Sequence, residues 1–439
     1  MKSIVKTILK CCIASFVAVG ILGVYSKYLD LEIEKLYTEK EDVLSLCNGV
    51  TVKDKGNAWI KESAMHGNLI LMGSSELSSP VAQNIKNNFP NDDFAGNISV
   101  LGHAYVQNGL HAMSLGANYK NIRSNDIVII ESIQWFFGDD ISAEGFMSNF
   151  SELQFYEFLH NDRISYENRK YLCQRFLELE DMRTTFMTKD DILQNGDNNK
   201  TNPQEHTDIL AHMLDTGWIR VVKQDFDYPQ THILATLYSG DSMADKILYQ
   251  VMRPYFLARY ELMKMKDKYE TYNYLKGISS DYEKAVFATD WDEQLEEAEN
   301  EGKSACTNND IYVYDEYYTT YLADGWTTKK GTLANTSALV SREWDDYKFL
   351  LSVCNDLGLH PYIVNVSTNG YYYDYVGVDA EMRQQYYTQI ESMAEDYGID
   401  SYDELKNKEY EPYVFADVMH LGWKGWIYVT QAITEYFEQ

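Results

Sequence analysis

Three short apolar runs in the first third of the chain most constrain what it can fold into. They occupy residues 68–72, 97–101 and 126–130, and a segment long enough for a helix separates each run from the next. Fully apolar strands that alternate with helices are typical of a parallel sheet covered on both faces. Two further runs, 361–366 and 413–415, predict a fourth and a last strand. The sequence therefore predicts an α/β fold whose parallel sheet is flanked by helices.

Helical patterns connect these strands. Pro80 is a suitable first residue for a helix that would place Val81, Ile85 and Phe89 on one face. Three more helices are predicted, at residues 108–115, 343–356 and 422–437.

The middle of the chain, from about 140 to 330, has no apolar strand. Its long charged and aromatic stretches, 151–179 and 248–275, predict helices, and polar breaks are expected at 190–205 and 300–310. We interpret this region as a mainly helical insertion into the α/β core.

This interpretation divides the chain into an N-terminal anchor, a stalk, and a core that an insertion interrupts. The predicted divisions are 1–26 for the anchor, 27–62 for a helical stalk or lead-in, 63–140 for the first part of the core, 141–334 for the insertion, and 335–439 for the second part of the core.

The N-terminus has the pattern of a membrane segment. Lys2, Lys6 and Lys10 precede an uncharged run from Cys11 to Tyr25, and about 18 residues are available when Lys10 snorkels to the interface. An uncleaved single-pass anchor is the favoured reading, and a cleaved signal peptide is the alternative. In both cases the positive end stays inside, and the rest of the chain is predicted to be extracellular.

Composition excludes several functions. The formal net charge of −29 over 439 residues argues against binding nucleic acid through its phosphates. The cysteines form no CxxC pair, and their pairing is left open. Glu157 and His160 have metal-compatible spacing but lack a second matching pair. No metal and no cofactor are therefore expected.

Polar residues at strand ends suggest where chemistry takes place, because ligands of parallel sheets bind beyond the carboxyl ends of the strands. Gly73-Ser74-Ser75-Glu76 follows the first strand, Gly102 follows the second, and Asp417 and His420 follow the predicted last strand. A serine there needs a histidine to take its proton and a carboxylate to orient that histidine.

Each motif alone has a simpler explanation, because Gly73–Glu76 and Asp417–His420 could both be capped helix starts. Their joint placement at the ends of strands of one core is more informative. His420 alone among the histidines has an acid so placed. The others are expected to be ordinary surface or core residues: His66, His103, His111, His160, His206, His212, His232 and His360.

The order of these blocks resembles the SGNH (GDSL-like) hydrolase superfamily and, within it, the DltD family of D-alanyl transfer proteins. The segments that carry the resemblance are 72–77, 132–136, 369–377 and 417–426. The last, Asp-Val-Met-His-Leu-Gly-Trp-Lys-Gly-Trp, is the most specific. The resemblance covers nearly the whole chain and implies an SGNH-like core.

The resemblance also implies roles for single residues. Ser75 would be the nucleophile, His420 the general base and then acid, and Asp417 the residue that orients His420. The backbone N–H groups of Ser75 and Gly102 would stabilise the oxyanion. Gln134 would stand where the superfamily has an oxyanion-hole asparagine, with a structural hydrogen bond as the alternative role.

Three aromatic residues in the segments that carry the resemblance have two possible locations. Trp135, Tyr372 and Tyr373 would line the acceptor groove or would lie in the core.

The function that the resemblance implies is that of a membrane-anchored serine acyltransferase or thioesterase, which acts in the D-alanylation of lipoteichoic acid in Gram-positive cell walls. The implied partners are a membrane-bound O-acyltransferase, the D-alanyl carrier protein of the same pathway, and lipoteichoic acid as acceptor. Two alternatives stay open. One is an extracellular esterase or O-acetyltransferase that acts on another glycan, and the other is a non-catalytic scaffold for the D-alanylation machinery.

Overall fold

The fold is given by a computed structural model that describes residues 2–40, 55–123, 125–194, 227–279 and 285–438, without the side chains of 2–19 and 184–194. At its centre is a five-stranded sheet in which all neighbouring strands run parallel. The predicted α/β class, with helices on both sides of a parallel sheet, is confirmed.

The strands are short and, in four cases, lie where the sequence predicts them. They are β1 Leu69–Met72, β2 Ile98–Leu101, β3 Ile127–Ser132, β4 Tyr362–Val366 and β5 Ser401–Tyr402, in the spatial order β2-β1-β3-β4-β5. Met72, at the end of β1, pairs with Leu101 of β2 and Ile129 of β3. The segments that follow the first three strands therefore leave the sheet side by side.

The predicted last strand at 413–415 is wrong, since the fifth strand of the sheet is β5. Val414 and Phe415 are buried, which explains the strand-like apolar pattern. Tyr413, however, has a left-handed φ of 68°, which a strand excludes. The backbone around these residues forms a tight loop, closed by an antiparallel bridge between Phe415 and Leu421.

Helices longer than one turn account for most of the remaining described residues. They are α1 Lys2–Glu39, α2 Asn57–Met65, α3 Asn108–Asn118, α4 Ala143–Asn149, α5 Glu152–Leu159, α6 Tyr166–Gln194, α7 Pro229–Ser239, α8 Met243–Gly277, α9 Trp291–Ala305, α10 Glu343–Leu357, α11 Gly370–Val376, α12 Ala380–Asp396 and α13 Trp423–Phe437.

The predicted helices near 108, 343 and 422 are confirmed as α3, α10 and α13. The predicted stretch 151–179 is divided between α5 and α6. The polar break expected at 300–310 begins only at Cys306, since α9 continues to Ala305, and an i,i+4 ion pair between Glu299 and Lys303 lies near its end.

The helix predicted after Pro80 is wrong, because only a short 3₁₀ turn, Ile85–Asn87, forms there. The side chain of Asn84 donates to the carbonyl oxygens of Leu77 and Ser79 and accepts from the N–H of Lys86. Side-chain bonds of this kind compete with helical backbone bonds. The apolar pattern is explained by burial against the sheet instead.

Two hydrophobic cores lie on opposite faces of the sheet, because neighbouring residues of a strand point to opposite sides. Ile70 and Met72 belong to the core that contains α3 and α10. Leu69 and Leu71 belong to the core that contains α9 and α13. Helix α9, which the sequence assigns to the insertion, thus covers one face of the sheet.

The N-terminal helix α1 packs on the body through its C-terminal half. Leu29, Ile33 and Tyr37 are buried, and Asp30 pairs with Lys268 of α8. Among the residues whose side chains are described, no helix is both long and apolar enough to cross a membrane. The predicted anchor lies largely outside those residues, and so does the stalk segment 41–54.

Candidate active site

Ser75 lies beyond the carboxyl end of β1. It is the first residue of a 3₁₀ turn, Ser75–Ser78. The two neighbouring serines have different environments. Ser74 is buried, and its hydroxyl donates to the carbonyl oxygen of His103 at 3.2 Å. Ser75 is half-buried, and its Oγ lies 2.9 Å from Nε2 of His420. Ser75 is therefore the serine whose hydroxyl faces a base.

The opposite nitrogen of the His420 ring contacts a carboxylate. Nδ1 of His420 lies 2.7 Å from Oδ2 of Asp417. An Nδ1–H that donates to Asp417 leaves the Nε2 lone pair free to accept the Ser75 proton. The three side chains thus have the connectivity of a serine–histidine–aspartate triad.

The loop that carries Asp417 and His420 is held in place by its own backbone bonds. Oδ1 of Asp417 accepts from the N–H groups of Met419 at 2.9 Å and His420 at 2.8 Å. Across the base of the loop, the N–H of Ala416 donates to the carbonyl oxygen of His420 at 2.9 Å. One carboxylate oxygen therefore shapes the loop while the other contacts the imidazole.

Glu76 is a fully buried acid beside the triad, and it was not among the predicted site residues. It accepts hydrogen bonds from the N–H of Ser74 at 3.1 Å and from Nε2 of Gln134 at 2.5 Å. In the sequence, a role for Glu76 in the site is indicated only by its position directly after Ser75. An acid at that position is explained equally well by the first turn of a helix, where negative charge is favourable.

The charges around His420 act on its pKa in opposite directions. Burial lowers the pKa of His420, whereas the hydrogen bond and charge of Asp417 and the charge of Glu76 raise it. The net result is a pKa above the ordinary value. The imidazolium that forms when a serine gives up its proton is therefore stabilised in this site.

Gln134, a predicted oxyanion donor, makes the structural hydrogen bond that was its alternative role. Its Nε2 donates to Glu76, and an amide nitrogen carries two hydrogens. One N–H of the Gln134 amide therefore donates to Glu76. That the second N–H donates to an oxyanion stays a prediction.

Gly102 follows β2 and lies against the backbone of the turn that precedes Ser75. Its φ is 155°, and an added Cβ would lie 2.0 Å from the carbonyl oxygen of Gly73. Only glycine permits this approach. It brings Gly102 close to the turn that carries the nucleophile, although the donation of its N–H to an oxyanion stays a prediction.

The chain is similar to proteins of one known family. A sequence model described as DltD protein matches residues 50–438. The chain belongs to the DltD family. DltD proteins are involved in the D-alanylation of teichoic acid, a pathway of the cell envelope, and in this context lipoteichoic acid is the polymer concerned.

Three relatives are similar over most of their length. Protein DltD of Bacillus subtilis (strain 168) is 25% identical over 370 residues, which cover 84% of this chain and 82% of the relative. Protein DltD of Staphylococcus aureus (strain NCTC 8325 / PS 47) is 23% identical over 411 residues, 90% of each chain. Protein DltD of Lacticaseibacillus rhamnosus is 22% identical over 388 residues, 86% of this chain and 80% of the relative.

In this DltD-family chain, an aromatic cluster borders the triad on the Asp417 side. The backbone N–H of Tyr314 donates to the carbonyl oxygen of Ala416 at 2.9 Å, and Tyr317 packs against the cluster that contains Val418. Burial, and then the charge of Asp417, raises the pKa of both tyrosines. Nearby, Trp326 packs 6.3 Å from Tyr372 and stacks on Tyr375 at 4.4 Å between ring centroids. Residues 311–326 belong to the predicted insertion, and their approach to the site was not predicted.

The three aromatic residues for which an acceptor groove or the core was predicted differ in how deeply they are buried. Trp135 and Tyr373 are buried, so the core alternative holds for both. Tyr372 is half-buried, at the edge of the aromatic cluster.

Two further acids are buried near the site and share one amide. Nδ2 of Asn108 donates to Oε2 of Glu131 at 3.2 Å and to Oε1 of Glu343 at 2.9 Å. Burial raises the pKa of both carboxyls well above the usual range. The charge of Glu76 also raises the pKa of Glu131.

The other histidines have surroundings different from that of His420. His111 is fully buried, and burial lowers its pKa to about 3. His232 contacts the buried Glu180 at 2.7 Å within the helical region. His160 contacts the carbonyl oxygen of Tyr156. In the described part of the chain, no three potential ligands are grouped to hold a metal ion.

Proposed function

We propose that this chain is a membrane-anchored serine acyltransferase that transfers D-alanine to lipoteichoic acid outside the cell. The observation that carries the proposal is the continuous chain of contacts from Ser75 Oγ through His420 to Asp417, at 2.9 and 2.7 Å. Membership of the DltD family supplies the pathway. The core is proposed to be of the SGNH type, with the anchor in residues 1–26.

In the first half-reaction, the hydroxyl of Ser75 gives its proton to Nε2 of His420 while Oγ forms a bond to the carbonyl carbon of the D-alanyl donor. The bond from that carbon to the donor breaks, and the leaving thiol or hydroxyl takes the proton from His420. The product is a D-alanyl ester of Ser75. Asp417 holds the ring orientation and stabilises the imidazolium between these steps.

The second half-reaction reverses these roles. A hydroxyl of the teichoic acid gives its proton to His420, and its oxygen bonds to the acyl carbon. Oγ of Ser75 leaves and regains the proton. In this proposal, the N–H groups of Ser75 and Gly102, and the second N–H of Gln134, stabilise the negative oxygen in both tetrahedral intermediates.

The partners follow from the pathway. A membrane-bound O-acyltransferase and the D-alanyl carrier protein would supply the acyl group, and lipoteichoic acid would accept it. Water must be kept from the acyl-enzyme, because transfer competes with hydrolysis. In this proposal, Tyr317 and Tyr372, which pack in the cluster that contains Val418, cover the acyl group on the Asp417 side.

A serine-reactive phosphonate tests the proposal. We expect the intact mass of the full chain to increase by one adduct, which Ser75→Ala and His420→Ala abolish. Ser74→Ala is the matched control, because this neighbouring hydroxyl is bonded to His103 and should leave the adduct unchanged. An adduct that persists in Ser75→Ala would refute Ser75 as the nucleophile.

The substrates that the protein turns over, and the effect of Ser75→Ala in cells, distinguish the proposed acyltransferase from an esterase and from a scaffold. Turnover of acetyl esters with none of D-alanyl donors would favour an esterase or O-acetyltransferase. Full D-alanylation in cells that carry Ser75→Ala would favour a scaffold, because loss of a triad serine lowers rates on the order of 10⁴-fold or more.

A further inference from the structure

A small cavity lies beside the carboxyl ends of β1 and β2. Met72, Leu101 and Gly102 line it at the sheet, and Leu110 and His111 of α3 line it as well. For the centres of water-sized molecules its volume is about 50 Å³, whereas a single water needs roughly 10–15 Å³. The cavity therefore has room for a group of a few non-hydrogen atoms and is too small for a long acyl chain.

His111 is fully buried, yet neither of its ring nitrogens has a hydrogen-bond partner among the described residues. Burial lowers the pKa of His111 to about 3, so the ring is neutral at physiological pH and carries one N–H donor and one acceptor nitrogen. Buried polar atoms without a partner are costly. In a native protein they indicate that a water or a ligand completes their hydrogen bonds, and here the cavity offers the space for one.

His111 lies close to both segments that carry the proposed oxyanion donors. The cavity joins it to Gly102. Its ring also packs against Trp135, with 5.9 Å between the ring centroids, and Trp135 follows Gln134 in the turn after β3. A carbonyl group bound by the N–H groups of Gly102 and Gln134 would therefore have the cavity and His111 beside it.

The lining matches a small substituent that has one apolar and one polar part. Val106, Leu110 and Met113 offer contacts to a methyl group, and the acceptor nitrogen of His111 offers one hydrogen bond. The acyl group of D-alanine carries a methyl group and an amino group on one carbon, and its amino group has N–H donors in the charged and in the neutral form. A propionyl group of the same size would leave His111 without a partner.

We propose that this cavity is the subsite for the aminoethyl part of the D-alanyl group and that His111 accepts a hydrogen bond from the amino group. The inference rests on the proposed acyltransferase function and adds the residue that selects an aminoacyl group over a plain acyl group. A site built to bond a substrate N–H rejects an analogue that lacks it, because the buried acceptor then stays unpaired.

The same subsite selects D-alanine over L-alanine. In the L-isomer two substituents of the α-carbon exchange places, while the carbonyl group stays at the oxyanion donors. The hydrogen bond to His111 and the apolar contact of the methyl group cannot then form together.

Three phosphonates that differ only in one group on phosphorus test the inference. The group is D-1-aminoethyl, L-1-aminoethyl or ethyl, and Oγ of Ser75 displaces the same leaving group from each, with phosphorus in place of the acyl carbon. Labelling rates of the full chain are measured by intact mass for the wild type, His111→Leu and His111→Gln. His160→Leu is the matched control, because this half-buried histidine at the end of α5 contacts the carbonyl oxygen of Tyr156.

We expect the D-aminoethyl probe to label the wild type on the order of 10- to 100-fold faster than the other two probes. His111→Leu should remove both preferences, His111→Gln should keep part of them because it retains an acceptor, and His160→Leu should keep them fully. The Tm of His111→Leu should be no lower than that of the wild type, since leucine leaves no polar atom unpartnered. The loss of preference would then not come from misfolding.

Preferences that persist in His111→Leu would overturn the inference and leave the proposed function standing. So would labelling of Ser75 in the wild type without preference, because the cavity would then hold water only. A marked drop in the Tm of His111→Leu would show that the ring has a structural role and would overturn the inference as well. Absence of any Ser75 adduct with all three probes would overturn the proposed function, and this inference with it.

Discussion

Glu76 and Gln134 are joined by a 2.5 Å hydrogen bond beneath the triad, and the carboxyl that accepts it is fully buried. The bond connects the turn after β1 to the turn after β3. It places a negative charge where it raises the pKa of His420.

Glu76→Gln should lower the pKa of His420, because a charge that favours the imidazolium is removed. Phosphonate labelling of Ser75 needs a neutral His420, so the pH of half-maximal labelling should move to a lower value. Labelling rates across a pH series measure this midpoint. Glu144→Gln, at an exposed acid of α4, is the control and should leave it unchanged. A midpoint that rises in Glu76→Gln would contradict the assigned effect.

Asp417→Asn should reduce labelling on the order of 10⁴-fold, because an amide at the position of Oδ2 cannot accept from Nδ1 and favours the wrong tautomer. The fold should persist, since the asparagine oxygen can still accept from Met419 and His420. Labelling rates and thermal unfolding check both parts. Asp379→Asn is a matched control, because Asp379 caps α12 in a similar way. Normal labelling in Asp417→Asn would exclude Asp417 from the triad.

Gly102→Ala should destabilise the protein more than Gly138→Ala, although both glycines have positive φ. Gly138 has open space around it, whereas a Cβ at Gly102 meets the carbonyl oxygen of Gly73. We expect about 1–2 kcal/mol for the unfavourable φ at Gly138 and a further ~1–3 kcal/mol for the overlap at Gly102. Denaturant unfolding measures both. Equal losses of unfolding free energy in the two variants would mean that the turn before Ser75 can shift to accommodate the added Cβ without further destabilisation.

Glu131→Gln should make stability less dependent on pH. Burial raises the pKa of Glu131 above its unfolded value of about 4.3, so the folded protein binds more protons in the window between the two pKa values. The unfolding free energy therefore falls as pH rises through that window. The Tm of Glu131→Gln should therefore rise relative to that of the wild type as the pH increases above ~4.3. Glu316→Gln, at an exposed position, is the control and should show no such trend.

Transfer to lipoteichoic acid should become faster as ionic strength rises from low values. The chain has a net charge of −29, and a polyanionic acceptor is repelled until salt screens the charges. KM for the acceptor should fall while labelling by a neutral phosphonate stays constant. A KM that rises with salt would instead indicate a local basic site for the polymer.

The sheet and its carboxyl edge were predictable because apolar runs between helical segments have few other folded arrangements. Ser75, Gly102 and His420 were named on that basis and with the family resemblance. The error at 413–415 has a physical cause. Val414 and Phe415 are buried like strand residues, but their backbone closes the loop that orients Asp417 and His420.

Other parts of the site were not predictable from local pattern. Glu76 is a surface-like residue in sequence, and only the approach of Gln134 and the Ser74 N–H makes its burial tolerable. Tyr314 and Tyr317 belong to a region without a strong periodic signal, and packing against Val418 and Tyr373 brings that region to the site.

The sequence by itself determined the α/β class, the edge of the sheet at which chemistry is expected, and the residue types needed for a triad. Tertiary structure decided which atoms meet. Ser75 and His420 are 345 residues apart, and their 2.9 Å contact depends on the order of the strands and on the loop after Val414. Local patterns record burial and periodicity, whereas a hydrogen bond between distant residues depends on how whole elements pack.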